Sequence, residues 1–178
     1  MVSEDGPAMA ISGLKSTSSQ IVISFNNPES AANTFTQAVV DLQLNPLDNE
    51  VFVVQSIDLE VGLPDALPGT DSATRGSIST TSRTTLGGLN NSNTMAIVQK
   101  SIRAAGWADS GVAFFAQSGE SPPTQLDYLA IIATNDFFIQ CQGSGNLTAK
   151  SVSGKLYGYR AKASASVFAA LVQSEILS

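Results

Sequence analysis

Four carboxylates lie close together in the chain: Asp58 and Glu60 two apart, hence on one face of a strand, then Asp65 and Asp71 in the loop beyond. Calcium accepts irregular cages of carboxylate and carbonyl oxygens, so these four are the calcium candidates. Their spacing matches no EF-hand, and a solvated edge accounts for the same residues. A glycosidase would need a carboxylate pair in a groove with aromatic sugar platforms. Trp107 stands alone, and Tyr128, Tyr157 and Tyr159 are scattered. Histidine is absent and Cys141 is the single cysteine. Those two counts exclude histidine triads, histidine metal sites, disulfide frameworks and CxxC zinc sites. Cys141, between Gln140 and Gln142, reads as a small core residue. Gly143-Ser144-Gly145 and Gly87-Gly88 read as turns, because neither is followed by the Lys-Ser/Thr pair of a phosphate loop. Neither Ser110 nor Ser118 has a base to activate it. The expectation is a protein that is not an enzyme and carries no cofactor or metal.

The remaining cluster is Lys155, Arg160 and Lys162 interleaved with Tyr157 and Tyr159. Arg160 and Lys162 share a strand face, and the tyrosines take the opposite one. This pattern fits an amphipathic outer strand. It also fits an interface strand, where Tyr and Arg supply anchoring contacts. Charge distribution favours the second use. Residues 1–74 carry ten acids against Lys15 alone, while the rest of the chain carries eight bases against five acids. Unlike halves are either two solvated faces or complementary patches that set register between neighbouring copies. Charged residues are only 13% of the chain, with Ser, Thr, Asn, Gln and Gly in their place. Such a surface loses less on desolvation than a charged one and is compatible with burial against neighbours. No basic arm or stripe tracks a phosphate backbone, so direct nucleic-acid binding is not expected. The acidic N-terminus does not read as a signal peptide, so none is expected, and no apolar run is long enough for a transmembrane segment. Synthesis in a cytoplasm is expected, with any exit by lysis, assembly or an unconventional route.

The elements that must hold these residues are short β-branched and aromatic segments punctuated by Gly, Pro, Asn and Ser. Strands are predicted over 20–25, 34–44, 51–61, 94–103, 111–117, 128–133, 137–142 and 154–163, with a polar edge strand near 74–85. Within 51–61, Val51, Val53, Ile57, Leu59 and Val61 are assigned to one face, interrupted by Gln55. A flexible turn is expected through 87–91. Residues 164–178 change period: Val167, Phe168, Leu171, Val172 and Ile176 recur at helical spacing, with Ser164 or Ser166 as the cap. The domain reading is an extended N-terminal arm over 1–19, a β-sandwich over 20–163 and a C-terminal helix packed on it. The arm is expected to stay out of the sheet and to lie on a neighbour through Met9, Ile11 and Leu14. No βαβ alternation is present, so the fold class is all-β, an antiparallel two-sheet sandwich for which eight strands suit a single jelly roll.

In size, strand count and neutral Ser/Thr/Asn-rich surface, the chain resembles the small single jelly-roll coat proteins of tailless icosahedral viruses of archaea and bacteria. Residues 53–65 (VVQSIDLEVGLPD) and 155–162 (KLYGYRAK) are similar to coat-protein strands. The resemblance implies a virion protein that self-assembles, often with a second coat protein, around a genome or an inner membrane. Many such proteins carry a basic N-terminal arm. The acidic start here implies that the genome is not touched directly. A tube or filament subunit, of a phage tail or an extracellular tube, is the alternative reading, and a monomeric ligand-binding sandwich is a third.

Overall fold

A computed structural model describes residues 11–105, 114–119 and 126–177. Ten strands and one α-helix follow in order: β1 (Leu14–Ser16), β2 (Ile21–Pro28), β3 (Thr36–Asp41), β4 (Glu50–Val61), β5 (Ser72–Ser79), β6 (Thr94–Arg103), β7 (Phe114–Gly119), β8 (Ala130–Ile132), β9 (Asp136–Ser144), β10 (Ser151–Ala163) and α1 (Ala165–Leu177). All pairings between these strands are antiparallel. One sheet runs β2-β10-β4-β8, with β1 extending the β2 edge of β10; the other runs β3-β9-β5-β6-β7.

The order has a simple origin. β2 pairs with β10, β3 with β9, β4 with β8 and β5 with β6, as in one long hairpin whose arms run toward and away from the β5–β6 turn. Rolling that hairpin sets β10 beside β4 and β9 beside β5, in two facing sheets. This is a single jelly roll, with β7 added at one edge.

The core lies between the sheets. Phe52, Val54, Ile57, Val61, Val152 and Leu156 face Ile78, Phe137, Ile139 and Cys141 across it. Phe25 meets Phe137 edge to face, with ring centroids 5.9 Å apart. Burial pushes the Cys141 thiol up to about 12, as suits an inert core cysteine.

Four expectations change. The single-face assignment of β4 fails at Gln55. Tyr157 pairs with Ser56 but Gly158 pairs with Val54, so Gln55 is the extra residue of a bulge. The bulge reverses the alternation: Phe52 and Val54 join Ile57 and Val61 in the core, while Val51 and Val53 turn to the outer face under α1. β10 is a central strand rather than an outer one. β5 is likewise central, between β9 and β6, and not an edge. The N-terminal arm joins the sheet from Leu14, which pairs with Ala163, and the ladder continues through Thr17 N–H to the Arg160 carbonyl.

Helix α1 starts where its cap predicts: the Ser164 Oγ accepts from Val167 N–H at 3.4 Å. Val167, Phe168, Leu171 and Val172 pack half-buried over Val51, Val53, Ala161 and Ala163, forming a second, smaller core on the outer face of the sheet. Ile176 does not join them and is 70% exposed. At 13 residues, α1 is too short to cross a membrane.

Candidate assembly surfaces

The roll gathers the loops at two ends. One end carries the β2–β3, β4–β5 and β9–β10 loops and the end of β6. Its side chains are tied by charge-assisted hydrogen bonds. Asp65 accepts from the Leu147 and Thr148 N–H groups and from the Lys150 Nζ at 2.6 Å. The lysine contact and these donors hold the Asp65 carboxyl at about 2, far below the usual aspartate range. Asp71 accepts from the Ala104 and Ala105 N–H groups, which lower its pKa too. Buried Glu29 accepts from the Gly143 and Lys150 N–H groups. Asn146, also buried, receives the Asp65 N–H on its Oδ1 and donates its Nδ2 to the Ala73 carbonyl. Both ends of its amide are therefore engaged within the fold. Gly145 closes this corner at φ 65°, where an added Cβ would collide with the Asp71 carbonyl. On this tied frame, Leu63 and Leu147 stand 63% and 72% exposed.

The four calcium candidates do not converge. Asp58 and Glu60 lie on the exposed outer face of β4, cross-strand from Lys155 and Ser153, and the Asp58 carboxylate accepts from the Tyr157 hydroxyl at 3.1 Å. Asp65 engages both carboxylate oxygens, and Asp71 its Oδ1, in the loop-end hydrogen bonds. Among the described residues, no three Cys, Asp or Glu side chains group as metal ligands would.

The opposite end carries the β3–β4, β5–β6 and β8–β9 connections, with α1 beside them. Arg160 is fixed here, donating to the Leu42 and Gln43 carbonyls and to Glu50 at 3.2 Å. Lys162 lies 3.9 Å from Asp48. The bases proposed for a neighbour thus reach acids of their own chain, because register in β10 sets them against the start of β4. Tyr159 turns its ring into the core under α1, while Tyr157 stays on the open outer face with Asp58. Ile11 and Leu14 also pack under α1 in the same subunit. Met9 and Trp107 lie outside the described residues.

Two features of this end were not expected from sequence. Glu175, on the last turn of α1, is only 7% exposed. Its carboxylate accepts from the Ala133 and Thr134 N–H groups and from the Thr134 hydroxyl, latching the helix to the β8–β9 turn. Burial raises its pKa against the pull of those donors. The second feature is the 80–93 loop, which folds over the outer face of its sheet onto Gln140, a residue with no exposed surface. Gln140 joins Ser77, Ser79 and Gln37 by hydrogen bonds. Gln37 in turn binds Ser82 and the Arg83 N–H. The Arg83 guanidinium reaches Asn91 and Asn93, and Gly87 N–H donates to Ser77. The expected flexible turn is therefore tied at several points. A runs-of-polar-residues signal was present, but nothing in it showed that Gln140 would be the hub.

Clefts flank α1. One of about 400 Å³ is lined by Leu44, Pro46, Ala133, Asn135, Phe168 and Val172, among others. Another of about 630 Å³ lies against Met95, Leu129, Ile131, Leu171 and Leu177. Compared with models of protein families, with curated proteins and with solved structures, the chain gave no match.

Proposed function

We propose that this chain is a structural coat subunit that assembles with itself, alone or with a second coat protein, into the protein shell of a virion. The observation that carries the reading is the single jelly-roll strand order, built from almost the whole described chain. Fold alone does not fix function. What adds weight is how the loops are made. Glu29, Asp65, Asp71, Asn146 and Arg83 are engaged in hydrogen bonds that tie loops to the frame, as a packing surface needs and as a reactive site does not. In this reading the protein has no catalytic step and no resident cofactor, and it contacts its genome only through another component.

The second reading, a tube or filament subunit, is favoured by the unlike ends of the sandwich: a hydrogen-bonded frame carrying Leu63 and Leu147 at one, and the clefts beside α1, with Leu47 and Leu89 exposed on loops of that end, at the other. Negative-stain imaging and light scattering of the purified protein, across salt, concentration and divalent ions and in lysate of infected host cells, test both. Closed particles are expected. Open tubes would favour the second reading, and a monomer under every condition would overturn both.

A further inference from the structure

Features that lack internal partners among the described residues stand at both ends of the sandwich. At the loop end, Leu147 and Leu63 are exposed on loops that the Asp65–Lys150 pair and Asn146 hold in place. Nearby on the outer face of the second sheet is Arg75, exposed and with no acidic partner among the described residues. At the helix end, the 400 Å³ cleft offers Leu44, Phe168 and Val172, and Leu47 and Leu89 stand exposed on the loops of that end.

Beside that cleft Asn135 leads into Asp136, which is cross-strand from Asp41 on the same outer face as Arg75. Like charges directly opposite one another are unfavourable unless something compensates them. Neither Asp41 nor Asp136 has a cationic partner among the described residues. Burial, then the charge of Asp41, raise the pKa of Asp136. Arg75 is cross-strand from Gln142, six residues along β9 from Asp136, or about 20 Å at the usual strand rise. One copy therefore cannot bring Arg75 to its own Asp41 and Asp136, nor Leu63 and Leu147, at the far end of the sandwich, to its own cleft.

We infer that subunits join head to tail, with Leu147 and Leu63 of one copy entering the α1 cleft of a second and Arg75 of the first meeting Asp41 and Asp136 of the second. Both halves of the contact are on this chain, apolar against apolar and base against acid, which is why the occupant is another copy. The contact is heterologous, so repetition gives a ring or an open row according to the rotation between copies. This inference rests on the self-assembly reading and specifies its interface.

The test is sedimentation velocity on the full chain, wild type and three variants, at low and high salt. Leu147→Asp is expected to weaken association by roughly a hundredfold, as loss of a buried anchor does. Arg75→Asp and Asp136→Arg each weaken it by about tenfold at low salt and less at high salt. An equimolar mixture of those two variants is expected to recover association, because every contact between unlike copies again pairs base with acid. Circular dichroism melts on the separate variants show whether each remains folded. If wild type assembles and the two charge variants assemble equally well, or if the mixture fails to recover while both partners are folded, the interface is wrong and the coat reading stands. If wild type is monomeric throughout, both fall.

Discussion

Glu175 shows how a single residue escapes a reading based on polarity. Sorting by charge sends it to solvent, yet it lies four residues after Leu171 and three after Val172, on the helix face that packs. The same sorting sends Ile176 inward, whereas the structure leaves it exposed. Glu175 is the only residue of α1 classed as buried, and its carboxylate takes up backbone donors of the β8–β9 turn. Glu175→Ala removes the acceptor for the Ala133 and Thr134 N–H groups, and the expected loss is about 2–3 kcal/mol by urea unfolding. The pH dependence has a definite sign. Burial raises the folded-state pKa above the ordinary glutamate value of 4.5, so the favourable contribution is complete below that value and is lost as pH rises through the raised one. Relative to Glu175→Gln, wild type should gain stability as pH falls from 7 toward 4.5; a constant difference would contradict it. Asp65 works the other way. Its contribution is present above the ordinary aspartate range and disappears only as pH falls toward about 2.

At the level of elements, most strands were legible because apolar alternation and turn residues survive in a single sequence. What was not legible depended on partners far along the chain. The bulge at Gln55 left only an interruption in a pattern, and which side each half of β4 faces followed from its pairing with β10, about a hundred residues later. The Ser and Thr side chains of β5 suggest a solvated edge, yet the strand lies between β9 and β6. Ser77 and Ser79 are covered instead by the loop that follows and satisfied by Gln140, from the next strand over, while Ser72 donates to the Asp65 carbonyl and Thr74 is buried with its hydroxyl unpartnered. Each buried polar group that loses its partner costs free energy. Gln140→Ala leaves Ser77, Ser79 and Gln37 short of theirs. The expected cost is about 2–4 kcal/mol in denaturant unfolding, together with faster proteolysis inside 80–93 than elsewhere. Uniform protection of that loop in the variant would show that Arg83 and its asparagines hold it without Gln140.

On the scale of the whole molecule, the acidic first half and basic second half turn out to meet inside one subunit. Lys150 pairs with Asp65, Arg160 with Glu50, and Lys162 approaches Asp48, because the roll lays β10 and its preceding loop against β4 and its flanks. The asymmetry was visible in the sequence, but whether it closed within a chain or between chains depended on topology. The same topology decides what α1 does. It covers the outer face of one sheet, where the Gln55 bulge has turned Val51 and Val53 outward beside Ala161 and Ala163. Deleting 165–178 would uncover those four residues and remove the half-buried Val167, Phe168, Leu171 and Val172 that pack on them. At the usual value for apolar burial, taken at about half for side chains that keep part of their exposure, the loss is on the order of 4–8 kcal/mol. That rivals the roughly 5–15 kcal/mol that keeps a domain folded. The truncated protein should therefore melt at least about 10 °C lower, or fail to fold, and should bind a hydrophobic dye that wild type does not. Phe168→Ala, a smaller lesion in the same cluster, should fall between the two and keep the comparison quantitative if the truncation does not fold. A truncation that melts like wild type would show that α1 serves only as a wall of the contact between subunits and not as part of the core, and would leave Val51 and Val53 needing another cover.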